Sequence, residues 1–131
     1  MFDFHFECMR DGDVLCFKLN GFTMAQKLMH IKEAIISEIK SMEGQPYKIM
    51  FDFRGLKALD HQSETIIKEI YEHLYRCSAL KIGSVFDNMV TKQQHLRLGT
   101  EKRDLDEADR TRKDRSKVFD DLGECLGWLK N

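Results

Sequence analysis

The pattern of apolar and polar positions is clearest between residues 47 and 80. Residues 47–53 (YKIMFDF) are apolar except for Lys48 and Asp52. Because a half-exposed strand alternates apolar and polar residues, this nearly continuous run predicts a central strand that is covered on both faces. Arg54-Gly55 ends the run, and Asp60 is positioned to cap a following helix. Four apolar residues recur in that helix at helical spacing: Ile67, Ile70, Tyr71 and Leu74.

The residues before this unit predict a hairpin and a first helix. Phenylalanine alternates with polar residues over 2–7, which is the period of a strand with one buried face. Asp11-Gly12 separates that strand from a second one at 14–19, and Asp-Gly between two apolar runs favours a hairpin turn. Thr23 and Gln26 have the spacing of a capping box. The helix after them carries one apolar stripe: Leu28, Ile31, Ile35, Ile39 and Met42.

The rest of the chain predicts two short strands and two helices. Residues 81–86 (KIGSVF) predict a strand, and Asp87-Asn88 can cap a helix that begins near Met89 and has few apolar residues. Residues 117–119 predict an edge strand. Asp121 with Glu124 predicts the cap of a last helix. Four of its residues are expected to face inward: Leu122, Cys125, Leu126 and Leu129.

Residues 101–116 (EKRDLDEADRTRKDRS) mix both charge signs and contain almost no apolar residues. This composition predicts the solvated end of a helix or a mobile loop. The functional alternative is a contact to nucleic acid or to a partner, and it would use four basic residues: Arg110, Arg112, Lys113 and Arg115. The interleaved aspartates and the lack of aromatic residues that could stack on bases weigh against nucleic acid.

Together these elements predict the order β-β-α-β-α-β-α-β-α in a single domain that spans 1–131. A hairpin followed by alternating helices and strands predicts an α/β fold, with one mixed sheet whose parallel part is flanked by helices. The crossovers are expected to be right-handed.

Charge and hydropathy exclude some functions without selecting one. The net charge is −1, so no global field favours nucleic acid or an anionic membrane. No apolar run approaches the roughly 20 residues that span a bilayer, and the first residues lack the basic-then-apolar order of a signal peptide. We expect a cytoplasmic protein that binds no nucleic acid and spans no membrane.

The four cysteines include no CxxC pair. We expect Cys8, Cys16, Cys77 and Cys125 to be reduced, partly buried thiols that pack as small apolar residues. A disulfide between Cys8 and Cys16 across the hairpin is the alternative.

Three segments carry a resemblance to a known family: residues 15–24, 49–60 and 116–131. They resemble the SpoIIAA-like group of STAS domains (sulfate transporter and anti-sigma-factor antagonist). Residues 15–24 (LCFKLNGFTM) resemble its second strand and the glycine before the first helix. Residues 49–60 (IMFDFRGLKALD) resemble its central strand and the approach to the second helix. Residues 116–131 (SKVFDDLGECLGWLKN) resemble its typical ending, with Cys125 where alanine is usual. The resemblance omits only 101–115, and none of these motifs is catalytic.

The resemblance implies a regulatory role for the start of the second helix. In the anti-sigma-factor antagonists, a serine directly after the aspartate at that helix start is phosphorylated. Here His61 follows Asp60, so that serine is missing, and Ser63 lies further along the turn. Since a phosphate is favoured at a helix N-terminus, a phosphorylation switch at Ser63 stands as a hypothesis beside an ordinary first-turn serine.

Ligands of open α/β sheets bind beyond the carboxyl ends of the parallel strands. We expect polar residues and three helix N-termini to lie at that edge. They suit an anionic or peptide ligand, but the fold also needs them as helix caps and turns. The candidate partner-binding residues are Thr23, Arg54, Asp60, His61, Gln62, Ser63 and Asn88.

Catalytic and metal-binding motifs are absent from the sequence. It has no G-x-S-x-G elbow, no glycine-rich phosphate loop and no H-E-x-x-H motif. Glu69 and His73 are one helical turn apart, but two ligands make a poor metal site without a third. We therefore predict no catalytic residues, no metal and no cofactor.

The sequence thus predicts a non-catalytic binding or regulatory module of STAS-like type. It would dock a protein partner through the start of its second helix, with a homodimer as one open arrangement. The alternative is a carrier or sensor of a small apolar, lipid-like ligand held between the helices and the sheet, because nine phenylalanines and seven methionines can line an adaptable pocket. An enzyme ranks third.

Overall fold

A five-stranded mixed sheet forms the centre of the molecule, and its strands lie side by side in chain order. The computed structural model describes residues 4–100 and 115–131. Strands β1 (Phe4–Asp11) and β2 (Val14–Gly21) form an antiparallel hairpin. Parallel to β2 run β3 (Lys48–Asp52), β4 (Ile82–Val85) and β5 (Ser116–Phe119).

Four helices connect or follow these strands in the described residues. They are α1 (Ala25–Met42), α2 (His61–Arg76), α3 (Met89–Thr100) and α4 (Leu122–Lys130). The predicted α/β architecture with one mixed sheet is confirmed, and β3 lies in the middle of the sheet. None of the helices in the described ranges combines the length and hydropathy needed to cross a membrane.

The two faces of the sheet carry separate apolar clusters. Helices α1, α2 and α3 pack on one face, where alternate residues of β2 and β3, such as Phe17 and Phe51, are fully buried. Helix α4 packs on the other face and buries Cys125 and Leu129 against a smaller cluster. Because successive side chains of a strand point to opposite faces, Phe51 belongs to the first cluster and Met50 to the second.

A row of aromatic rings crosses the three-helix face. The ring centroids of Phe17 and Phe51 are 5.3 Å apart, those of Phe51 and Phe53 5.2 Å, and those of Phe53 and Phe86 5.0 Å. The row ends at His95 of α3, whose ring lies 4.7 Å from that of Phe53. Such stacked pairs add about 0.5–1.5 kcal/mol each beyond the area they bury.

Helix α4 approaches the sheet closely because β4 carries a glycine beneath it. A Cβ atom on Gly83 would lie 2.6 Å from Sγ of Cys125, so no other residue fits unless the Cys125 side chain or the helix shifts. At the far end of α4, Nζ of Lys81 donates a hydrogen bond of 2.7 Å to the carbonyl of Trp128 and lies 5.0 Å from its ring centroid.

Three of the four predicted helix caps are confirmed, those by Asp60, Asn88 and Asp121, and one is wrong. Oδ1 of Asp60 accepts a 2.7 Å hydrogen bond from the backbone N–H of Ser63, and Asp121 caps α4 by accepting from Gly123 at 2.7 Å. The capping box of Thr23 and Gln26 does not form. The N-cap of α1 is Met24, which has no side-chain acceptor, so Thr23 lies one residue too early to cap.

The predicted apolar stripes of α1 and α2 are confirmed, whereas α3, for which the sequence predicted few apolar residues and no stripe, packs differently. All five predicted residues of α1 are buried, as are Ile67, Ile70 and Leu74 of α2, while Tyr71 is half-buried. In α3 the exposed residues include Met89 and Val90, and the polar side chains of Thr91 and His95 are buried instead.

All four thiols are free, and their positions differ from the prediction in one respect. Cys8 is exposed, whereas the other three cysteines are buried. In the hairpin register Cys8 lies opposite Phe17, and Cys16 lies opposite Met9. The two thiols therefore project from opposite faces of the sheet, and the alternative of a Cys8–Cys16 disulfide is wrong.

The prediction of a charged helix end or loop over 101–116 falls outside the described residues, except at its last two positions. Ser116 begins β5. The guanidinium of Arg115 donates to the carbonyls of Leu74, Cys77 and Ala79 at 2.7–2.8 Å, and to that of Tyr75 at 3.1 Å. Arg115 therefore satisfies the free carbonyls at the end of α2, a role that the sequence analysis did not assign to it.

Candidate functional site

The carboxyl ends of β2, β3 and β4 are tied together by hydrogen bonds between their loops. The N–H of Gly21 donates to the carbonyl of Gly55 at 2.9 Å, and the carbonyl of Gly21 accepts from Lys57 at 3.0 Å. The N–H of Gly55 donates to Oδ1 of Asp87 at 2.9 Å. Gly55 has a φ of +82°, a backbone conformation that favours glycine. We call this side of the molecule the carboxyl edge, comprising residues 20–24, 54–63 and 87–91.

Helix α3 fixes the loop that leads into α2. Oε1 of Gln94 accepts from the N–H of Leu59 at 2.7 Å, while its Nε2 donates to the carbonyl of Leu59 at 2.9 Å. The hydroxyl of Thr91 donates to the carbonyl of Leu56 at 3.1 Å. Because these contacts satisfy the backbone of the loop, the first turn of α2 is held in a defined position.

The predicted site residues at the start of α2 divide into exposed and buried ones. Asp60, His61 and Gln62 are exposed. The backbone N–H of Ser63 stabilises the carboxylate of Asp60, which lowers the pKa of Asp60. Ser63 itself is 0% exposed, and its hydroxyl has no hydrogen-bond partner among the described residues. Ser63 therefore contributes nothing to an exposed surface, and its phosphorylation would require the first turn of α2 to open.

Arg54 is held by an acidic neighbour. Its Nε and one terminal nitrogen each donate a 2.9 Å hydrogen bond to the carboxylate of Asp52, which is 5% exposed. Burial by itself raises the pKa of Asp52, but the hydrogen bonds from Arg54 outweigh it, and the pKa is lowered. Arg54 borders a shallow depression of about 450 Å³ that His5, Lys18 and Asp87 also line.

The two remaining predicted residues are not free for a partner either. Oδ1 of Asn88 accepts hydrogen bonds from Val90 at 2.9 Å and from Thr91 at 3.2 Å, so Asn88 is the cap of α3. Thr23 is half-buried. The carboxyl edge thus brings the seven predicted residues to one side of the molecule. Of these seven, His61 and Gln62 are exposed, and none of the hydrogen bonds described above holds their side chains.

Exposed apolar side chains lie on both sides of the start of α2. Phe22 is 43% exposed and Met24 52% exposed, just before α1. Met89 and Val90, in the first turn of α3, are 63% and 66% exposed. Because α2 packs against both α1 and α3, these residues flank His61 and Gln62. In that turn Thr91 is the buried residue, and its hydroxyl bonds to the loop before α2.

A cavity lies away from the carboxyl edge, between α2, α3 and the last two strands. Its volume is about 360 Å³. Five apolar side chains line it: Leu74, Ile82, Phe86, Leu96 and Val118. Its polar lining residues include Tyr71, Ser84, His95 and Arg115. The sequence analysis named the region between helices and sheet as a place for an apolar ligand, but it identified none of these residues as a site.

His95 is the most unusual side chain of this cavity. It is 2% exposed, and its Nδ1 lies 2.7 Å from the hydroxyl oxygen of Tyr71. Burial lowers the pKa of His95 to about 3 and raises the pKa of Tyr71, so both groups are neutral at physiological pH. Its Nε2 has no hydrogen-bond partner among the described residues. The sequence analysis missed this pair because nothing in the spacing of Tyr71 and His95 indicates contact.

The described residues also bear on metal binding. Oε2 of Glu69 lies 2.5 Å from Nζ of Lys32, so this carboxylate forms an ion pair with α1. Residues 4–100 and 115–131 contain no group of three or more His, Cys, Asp or Glu side chains arranged to hold a metal ion.

Comparison of the sequence with protein-family models gives no match, and comparison with curated proteins gives none either. The resemblance to STAS domains therefore remains a prediction that rests on the three sequence segments described above. The single mixed sheet with its flanking helices is an observation, and it is compatible with that prediction.

Proposed function

We propose that this protein is a non-catalytic, STAS-like binding module that docks a protein partner on its carboxyl edge, around the start of α2. The observation that carries this proposal is the set of exposed apolar side chains on both sides of that helix start: Phe22, Met24, Met89 and Val90. Apolar side chains that gather on one exposed surface are typical of protein interaction sites.

The chemistry of the edge indicates what kind of partner it suits. The free N–H groups and the macrodipole give the first turn of α2 a partial positive charge, which favours a carboxylate on the partner. The flanking methionines adapt their shape to an apolar contact. We therefore expect the partner to present an acidic residue between apolar ones. Because Gln94 and Thr91 already hold the loop, docking requires little ordering of the edge.

A charge substitution at the helix start tests this proposal. We expect His61→Glu and Met89→Glu each to weaken capture of the partner in a pull-down by about tenfold or more, which corresponds to about 1.4 kcal/mol. The added carboxylate repels the acidic partner, but a glutamate in the first turn is compatible with the helix dipole. The thermal unfolding midpoint should therefore hardly change.

His30→Glu is the matched control, because His30 is exposed on α1 outside the carboxyl edge. It should retain the captured protein. If His61→Glu captures the same protein as strongly as the wild type does, this docking surface is wrong.

The second candidate function is the carriage or sensing of a small apolar ligand, and the cavity of about 360 Å³ between the helices and the sheet favours it. Native mass spectrometry of freshly purified protein, compared with the denatured mass, tests this function. We expect a non-covalent adduct that disappears on denaturation. Apo protein only, both as purified and after incubation with cell extract, would contradict it.

A further inference from the structure

The cavity is larger than imperfect packing leaves behind. Native interiors contain few voids larger than a water molecule, and an engineered apolar cavity of about 150 Å³ is already large enough to bind benzene. The cavity between α2, α3, β4 and β5 has a volume of about 360 Å³. By that comparison it can hold a molecule of roughly two aromatic rings.

The cavity has both apolar and polar lining residues, and one of them, His95, carries an unsatisfied polar atom. The His95 ring is wedged against Phe53 at 4.7 Å and Phe86 at 5.1 Å, and its Nδ1 is already paired with Tyr71. Nε2 has no partner among the described residues. Since buried polar groups of native proteins are nearly always paired, a ligand that brings a hydrogen-bonding group to His95 would complete this site.

The charges around the cavity disfavour an ionised ligand. Two cationic residues are among its described lining residues, Arg115 and Lys117. Arg115 donates to four backbone carbonyls at the end of α2. Nζ of Lys117 lies 5.3 Å from the ring centroid of Phe119. His95 is neutral because burial lowers its pKa to about 3. A carboxylate or phosphate next to His95 would therefore lose its hydration without a cationic imidazole to pair with.

We propose that this cavity binds one small uncharged molecule, with an apolar body of about two rings and a hydroxyl group that pairs with His95. A hydroxyl group both donates and accepts, so it can pair with Nε2 in either tautomer of the ring. This inference rests on the second candidate function, the binding of a small apolar ligand, and it does not depend on docking at the carboxyl edge.

Three probes of similar size separate the parts of this proposal: 2-naphthol, naphthalene and 2-naphthoate. Isothermal titration calorimetry with the purified chain should show saturable binding of 2-naphthol at one site. Naphthalene lacks the hydroxyl, and 2-naphthoate carries a charge. We expect each to bind about tenfold more weakly than 2-naphthol, the effect of one hydrogen bond or one desolvated charge.

Two variants in the cavity and one control outside it localise the binding. Val118→Phe fills the cavity and should reduce the affinity for 2-naphthol by about tenfold or more. Val90→Phe is its matched control on the exposed start of α3, and it should leave the affinity unchanged. His95→Phe keeps a ring of similar size and should remove the preference for 2-naphthol over naphthalene.

Specific outcomes overturn the proposal. Absence of 2-naphthol binding, equal or tighter binding of 2-naphthoate, or a preference for 2-naphthol that survives in His95→Phe each contradicts it. Circular dichroism shows whether Val118→Phe and His95→Phe fold. If either variant does not fold, the affinities of the wild type for 2-naphthol, naphthalene and 2-naphthoate still decide whether the proposal holds. The docking variant His61→Glu should bind 2-naphthol normally, so failure of docking and failure of this inference give different results.

Discussion

The two faces of the sheet are covered by different means. Three helices cover one face, and there a row of stacked phenylalanine rings lies in a continuous apolar cluster. Within residues 4–100 and 115–131, the other face has one nine-residue helix, a small cluster and exposed positions on β1 such as Met9, which is 64% exposed. This second face also carries the buried carboxylate of Asp52, which pairs with the partly exposed Arg54.

This difference suggests separate roles for the two faces. The three-helix face buries most of the large side chains, so it should supply most of the hydrophobic free energy of folding. The α4 face depends on the close approach of α4 at Gly83 and includes the ion pair of Asp52 with Arg54. Single substitutions at these positions should therefore change the stability through local geometry and charge. The following predictions test this distinction, beginning with the largest expected effect.

Phe51 and Met50 are neighbours on β3 that face opposite clusters, 1% and 8% exposed. Phe51→Ala should lower the free energy of unfolding by about 3–5 kcal/mol, because it removes a ring from the middle of the aromatic row. Met50→Ala should cost about 2 kcal/mol, near the low end for buried methionines. Urea unfolding followed by circular dichroism measures both. An equal or larger loss for Met50→Ala would contradict the distinction between the faces.

Gly83→Ala should lower the free energy of unfolding by about 1–3 kcal/mol, the usual cost of overpacking. The added Cβ would lie 2.6 Å from Sγ of Cys125 and displace α4 from the sheet. Gly127→Ala is the matched control in α4, where a Cβ meets nothing within 4 Å. It should stabilise the protein by roughly 0.5–1 kcal/mol, because alanine is the better helix former. Thermal unfolding of both variants gives opposite shifts if α4 packs as described.

Arg54→Met should lower the free energy of unfolding by about 1–2 kcal/mol at pH 7, because it leaves the buried Asp52 carboxylate without its partner. The pKa of Asp52 is lowered in the folded protein. Its stabilising contribution is therefore present above the unfolded pKa of about 3.9 and is lost as the pH falls through the lower folded value. The difference between wild type and Arg54→Met should shrink when urea unfolding is measured at pH 3. A difference that stays constant from pH 7 to pH 3 would show that the pair does not act through charge.

Most of the fold was predictable because local patterns encode it. The periodicity of Leu28, Ile31 and Ile35 identified the buried side of α1, and the apolar run at 47–53 identified the central strand. The buried side of helix α3 was the part of the fold that the sequence pattern did not predict. Its contacts with the rest of the protein include Thr91 and Gln94, which bond to the loop before α2, and polar residues give no apolar stripe to detect.

The candidate site was predictable in position but not in composition. The carboxyl edge follows from the parallel order of strands, and the capping role of Asn88 was predicted from the sequence. The pairing of Arg54 with Asp52 and the burial of Ser63 depend on contacts that only the folded chain makes. The exposed positions of Met89 and Val90 likewise follow from which side of α3 meets the sheet.

The sequence by itself determined the order of elements, the central position of β3 and the buried sides of α1 and α2, because apolar periodicity is a local property of the chain. Only the tertiary structure decided the pairing of Tyr71 with His95, the capping of α2 by Arg115 and the cavity that they line. These contacts join residues 24 to 41 positions apart. The partner of a buried polar group depends on which elements pack together, and a one-dimensional pattern does not specify that packing.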